Sequence, residues 1–152
     1  PPLFDVVHSV DTLRLAEKLS QATVGRGDAR PLDVFLEVNV SGEASKSGFA
    51  ASGWQQNASV RDQLWQEAAQ IAALPGLRLR GLMTMAPIVE DVEQARPVFR
   101  SLALLRAALA DSLNAPLPEL SMGMTDDYSV AIEEGATFVR IGRAIFGERE
   151  RL

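Results

Sequence analysis

The chain has 152 residues, 47% of them hydrophobic and 23% charged, the balance of one globular domain with a real core. Its net charge of −5 offers no basic field to a polyanion, so neither nucleic acid nor a membrane surface is an expected partner. It has no cysteine, which excludes disulfides and thiolate metal sites, and its one histidine argues against zinc. No apolar run approaches the roughly 18 residues of a membrane span, and a cytoplasmic location is expected.

Pro1-Pro2 leads straight into Leu3-Phe4-Asp5-Val6-Val7, which already reads as a buried strand. The expectation from this start, without Met, is a chain that lacks its upstream part; the alternative is a processed mature protein. In chain order, β-branched runs predict strands at Phe4–Ser9, Val34–Val40, Leu79–Met85, Glu119–Met122 and Phe138–Ile141. Asp11 is the expected N-cap of a first helix, in which Leu13, Leu15, Ala16 and Leu19 share one side. Ala50–Ser59 reads as a long loop. Leu64, Ala68, Ile71 and Ala72 mark a second helix that stops at Pro75-Gly76. Val98, Phe99, Leu102, Leu105 and Leu109 mark a third, with Pro97 in its first turn and Asp91–Arg96 as a separate short turn. Asp126 or Asp127 caps a short fourth helix, in which Ala131 and Ile132 pack and Gly135 is the stop. A last helical turn follows near Ala144–Phe146.

Strands that alternate with helices imply a parallel sheet covered by helices. An open doubly wound sheet and a β/α barrel both satisfy that order. Glu37 and Asn39 alternate with apolar neighbours, and Arg140 sits between Val139 and Ile141. Polar residues on one side of a strand suit a barrel interior, which favours the barrel.

Three segments have a composition suited to chemistry. Val38-Asn39-Val40 runs into a small, polar loop with Lys46 at its centre; the structural alternative is a solvated connector. Glu119–Met122 runs through Gly123 into a capped helix, a turn whose N–H groups favour an anion. Asp126 and Asp127 would repel a phosphate there, so they are assigned to capping and the helix dipole. Phe138–Ile141 runs through Gly142 into Arg143-Ala144, where glycine lets a ligand approach the backbone and N–H groups can donate. Barrels often bind phosphate with the loops after their last two strands, and these two segments take those places. Arg140 would point inward, its structural alternative being an internal salt bridge with Glu37. Met83 and Met85 read as core, although one would wall a flat ligand. His8, Ser9 and Asp11 lie too close in sequence for a hydrolase triad.

Together, His8-Ser9-Val10-Asp11, Val38–Ser41 with Ser45–Phe49, Gly81–Met85, Leu120–Met124 with Asp126-Asp127, and Val139–Gly142 with Ile145-Phe146-Gly147 resemble the pyridoxal phosphate homeostasis (YggS/PROSC) family, in the family's order. The resemblance implies an α/β fold: a (β/α) TIM-type barrel like the N-terminal domain of alanine racemase. Residues 1–152 would then be one partial domain holding about the last five β/α units, with the first three strands missing. The implied cofactor is pyridoxal 5′-phosphate, bound to a lysine on the family's first strand, which no residue here matches. Lys18 and Lys46 are the only lysines, and Lys46 is not taken for that attachment point. The resemblance also implies that the segments of Ser121, Gly123, Gly142 and Arg143 hold the phosphate and that Arg140 lies near the pyridine nitrogen; Met122, between Ser121 and Gly123, and Met83 complete the expected cofactor-binding residues. No catalytic or metal-ligating residue is expected. The implied role is that of a cofactor carrier and regulator, a monomer when full length. The alternatives are a fragment of a pyridoxal-phosphate-dependent racemase or decarboxylase, or a phosphate-binding barrel enzyme without that cofactor.

Overall fold

The computed structural model describes residues 4–26 and 30–147. The elements, in order, are β1 (Val6–Val10), α1 (Leu13–Val24), β2 (Leu32–Asn39), β3 (Phe49–Ala50), α2 (Ala58–Ala72), β4 (Leu77–Met83), a 3-10 turn (Val92–Ala95), α3 (Arg96–Leu113), β5 (Glu119–Met124), α4 (Tyr128–Glu133), β6 (Phe138–Arg140) and α5 (Arg143–Phe146). The alternation read from the periodicities is present throughout.

The strands form one parallel sheet in the order β1-β2-β4-β5-β6, with β3 paired to β2. An order that advances in one direction, with the right-handed crossovers of parallel units, places every helix on the same face. The helices accordingly neighbour one another in series, α1 on α2, α2 on α3 and α3 on α4. Between that layer and the sheet lies the core, in which Val34, Leu36, Val38, Leu82, Leu120 and Met122 meet Ala16, Leu64, Ile71, Phe99, Leu102, Leu105 and Leu109. Burying each of the larger side chains contributes about 1.5–3 kcal/mol.

The sheet also curls. In a flat sheet β1 and β5 would stand three spacings apart, about 14 Å. Instead His8 Nδ1 of β1 lies 2.8 Å from Ser121 Oγ of β5 across the uncovered face. With α1 to α4 outside and side chains touching within, the fold is an arc of a β/α barrel; the doubly wound alternative is excluded.

Several local expectations are corrected. The N-cap of α1 is Thr12, whose side chain accepts from Leu15 N–H, while Asp11 accepts from the Thr12 hydroxyl. The expected loop at Ala50–Ser59 begins on β3 and ends inside α2. Gly48 makes that short strand feasible, because a side chain there would come within 2.6 Å of the Glu37 carbonyl oxygen. The N-cap of α2 is Asn57, whose side chain accepts from Ser59 and Val60 N–H. Ala131 packs as expected, but Ile132 is 54% exposed, and Val130 takes the inward place. The 3-10 turn before α3 matches the separate turn expected there, and Pro97 lies in the first turn of the helix, where its missing N–H costs nothing. Gly76 and Gly135 adopt φ of +75° and +96°, the left-handed backbone that ends the preceding helical segments.

Candidate functional site

The pleat of the sheet sorts the residues of β2, β4, β5 and β6 between two faces. Register places Glu37 beside Met83, Met83 beside Ser121 and Ser121 beside Phe138, forming one row across the concave face. Phe35 and His8 lie in the next row towards the strand N-termini, their rings stacked with centroids 4.3 Å apart and 9° between planes. Phe138 meets the His8 ring edge-on at 5.2 Å.

At the C-terminal end of this face lies Arg140. Its guanidinium donates from one terminal nitrogen to Ser121 Oγ and from the other to the Thr84 carbonyl oxygen, each at 2.9 Å. Thr84 is buried, gives its hydroxyl to the Val38 carbonyl oxygen at 2.7 Å, and takes its own N–H bond to the Ser121 carbonyl oxygen. One arginine on β6 is thereby tied to the ends of β4 and β5. The internal salt bridge with Glu37 does not form; among the described residues no carboxylate pairs with Arg140 at contact distance. Burial pushes the guanidinium down from its ordinary value, while Asp127 and Glu37 act against that at longer range. Burial raises the Glu37 carboxyl, as does Asp11, and Arg140 opposes both.

Arginine can only donate, so it occupies a lone pair of Ser121 Oγ. Ser121 is fully buried, and its hydroxyl proton finds an acceptor in His8 Nδ1. That places the His8 proton on Nε2 and keeps the ring neutral. Burial first, and then the Arg140 charge, hold the His8 pKa below its usual 6.5. Below pH 6.5 the unfolded chain therefore binds a proton that the folded chain refuses. The His8 contribution to stability is complete above pH 6.5 and declines as pH falls through the lowered value. Because His8 is the only histidine, its C2 proton gives a single NMR titration, and a midpoint below 6.5 is expected. A midpoint at or above 6.5 would contradict this arrangement.

Around the rim, the ends of β5 and β6 are tied together. Arg143 pairs with Asp126, and Ala144 N–H points to Thr125 Oγ1 at 3.4 Å, a long contact. Asp127 does not cap α4 with its side chain; its carboxylate accepts from Met124 N–H at 2.6 Å and closes the turn. Asp127 thus stands at the expected N-cap position of α4, but its side chain closes the turn and makes no capping bond, while Asp126 is taken by the ion pair. Gly123 has φ +94°, and a side chain there would strike Ala131 Cβ at 2.7 Å, so this glycine lets α4 sit directly on β5. At Gly142 the reverse holds: nothing lies within 4 Å of where a Cβ would stand.

The sequence-derived candidates are therefore divided in space. Met83, Ser121 and Arg140 come together on the concave face. Gly123, Gly142 and Arg143 form the rim above them. Met122 turns its side chain into the helix-facing core and has only its backbone to offer the site. His8 and Thr84 are the members that sequence reasoning passed over. A polar residue inside an apolar strand, the signal that selected Glu37 and Arg140, applies equally to both. The Lys46 loop is organised by Asn39, whose amide donates to the Glu43 carbonyl oxygen at 2.9 Å and whose oxygen accepts from Ser41 and Gly42. Lys46 Nζ lies 3.8 Å from Glu43, and Lys18 is exposed on α1, in the outer layer. No group of three or more His, Cys, Asp or Glu among the described residues is placed to hold a metal. No helix of the described residues is long and apolar enough to cross a membrane.

Comparison with known proteins places this arrangement. Among curated relatives, the pyridoxal phosphate homeostasis protein of Pseudomonas aeruginosa is 46% identical over 147 residues, covering 97% of this chain and 57% of that protein. The protein of the same name from Aquifex aeolicus is 40% identical over 145 residues, covering 95% and 58%. The chain thus spans little more than half the length of these relatives. Among solved structures, PipY of Synechococcus elongatus with PLP bound superposes with a TM-score of 0.78 at 30% identity, covering 95% of this chain and 61% of that one. The family described as "Alanine racemase, N-terminal domain" matches residues 3–150. This chain belongs to the alanine racemase N-terminal domain family.

Proposed function

We propose that this chain holds pyridoxal 5′-phosphate on the concave face of its barrel arc and acts in the homeostasis of that cofactor. The observation that carries the reading is the half-buried Arg140 guanidinium, held on the concave face by Ser121 and Thr84 with no carboxylate among the described residues in contact. A cation held in that way disfavours protonation of a pyridine nitrogen beside it. When bound, the cofactor supplies an aldehyde and an aromatic ring that draws electrons, and a ring kept neutral is the poorer electron sink. Met83, buried beside Ser121, would wall the flat ring. The turns at Gly123 and at Gly142–Ala144 would cradle the phosphate, and the open space at Gly142 suits a ligand brought close to the backbone. Neither Lys18 nor Lys46 stands beside Arg140, so neither is assigned to the aldehyde.

The same geometry supports a carrier over a catalyst. His8, Ser121, Arg140 and Thr84 are committed to one another, which suits holding a ligand more than exchanging protons with it. The PLP-bound PipY and the two homeostasis proteins support the cofactor assignment. A cytoplasmic location, one partial barrel domain over residues 1–152 and a monomeric full-length protein complete the proposal. No nucleic acid or membrane partner is part of it.

Equilibrium titration of the purified chain with pyridoxine 5′-phosphate, which lacks the aldehyde, tests the cradle without any lysine. Saturable binding is expected. Gly142→Asp should weaken it about tenfold or more, through crowding and like charge. Unchanged affinity in that variant would remove the phosphate from this turn.

A further inference from the structure

The His8 ring is clamped face-on by Phe35 and edge-on by Phe138, so the direction of its Nδ1 is preset. That nitrogen meets Ser121 Oγ, and the same oxygen meets Arg140. We infer that His8 is a positioning residue for Arg140: by accepting the Ser121 hydroxyl proton, it directs a serine lone pair at the guanidinium and so sets where that cation meets a ligand ring. The inference rests on the cofactor reading above and deepens it.

The chain of donors runs one way. Arg140 has no acceptor, so Ser121 must receive from it; Ser121 is fully buried, so its proton must go to a protein acceptor. Removing that acceptor frees the hydroxyl to turn and leaves the Thr84 carbonyl as the one remaining anchor of the guanidinium. Protonating His8 has the same effect and adds a second cation across a single oxygen. The charged group that acts on this imidazole is Arg140 from β6; Arg140 in turn feels Asp127 from the start of α4 and Glu37 from β2, and Glu37 feels Asp11 beyond β1. Arg140 faces the ring and not the phosphate of the proposed ligand. Disturbing His8 should therefore weaken recognition of the ring while sparing recognition of the anion.

The test compares two probes, pyridoxine 5′-phosphate and inorganic phosphate, on the full 152-residue chain. His8→Phe keeps the ring stack but loses the acceptor. It should weaken pyridoxine 5′-phosphate about tenfold and inorganic phosphate less than about twofold. His8→Asn, whose amide oxygen can take the place of Nδ1, should recover most of the loss. The affinity ratio of the two probes in the wild type, divided by the same ratio in His8→Asn so that titration of the probes themselves cancels, should fall as pH drops through the lowered His8 pKa. Equal losses for both probes, no recovery in His8→Asn, or a ratio indifferent to pH would each overturn the inference. Should His8→Phe fail to fold, the asparagine variant and the pH series decide. If the wild type binds neither probe, the cofactor reading falls and takes this inference with it; binding with no effect of His8 sinks the inference alone.

Discussion

Gly81→Ala is expected to destabilise the chain by about 3 kcal/mol or more, read as a lowered midpoint in urea or thermal unfolding. Gly81 lies on β4 in register with Glu119 of β5. A Cβ built there would stand 1.9 Å from the Glu119 carbonyl oxygen and 2.7 Å from its carbonyl carbon. Both atoms are backbone, so no rotamer change relieves the clash; β4 and β5 must move apart. Those strands also carry Met83 and Ser121, the centre of the concave row. The variant should therefore lose ligand binding along with stability. A midpoint unchanged from wild type would mean that β4 and β5 are not in close register.

Arg140→Met should weaken pyridoxine 5′-phosphate binding about tenfold to a hundredfold, the effect of removing a charge-assisted hydrogen bond at a buried site. Methionine fills much of the volume but cannot donate, so Ser121 Oγ and the Thr84 carbonyl oxygen lose their partner. Each buried polar group so orphaned costs about 1–3 kcal/mol, and a measurable loss of stability should accompany the loss of affinity. The same variant has an independent signature. With the cation gone, one of the two causes that lower the His8 pKa is gone, and the NMR midpoint should move up towards 6.5, while burial holds it below. An unmoved midpoint would show that Arg140 does not act on His8, and unchanged affinity would take the ring away from this arginine.

Local order was legible because it depends on local periodicity. Leu64, Ala68 and Ile71 at helical spacing, and Val34, Leu36 and Val38 at alternate positions, announce the faces they bury whatever lies opposite. Gly76 and Gly135 were readable as stops because a left-handed residue is a local requirement. The two-residue β3 was not readable. Two residues carry no period, and their pairing depends on Gly48 passing within reach of Glu37 in another segment. The choice of Thr12 over Asp11, and the division of Asp126 and Asp127 between an ion pair and a turn, were equally hidden. Neighbouring side chains with similar chemistry differ there only in the direction the backbone gives them.

The site divides along the same line. Sequence alone determined the parallel β/α order, the placing of Arg140 among apolar neighbours, and the two glycine-bearing turns after the last two strands. Each of these is a property of a short stretch of chain. Only the tertiary structure decided that the sheet curls into a barrel arc, that Met122 faces the helices while Ser121 faces inward, and that His8 belongs to the site. The bond from His8 to Ser121 joins residues 113 positions apart. It exists because the curl brings the inner faces of β1 and β5 together, and curvature arises from the packing of all the strands and helices at once, so no single stretch of sequence records it.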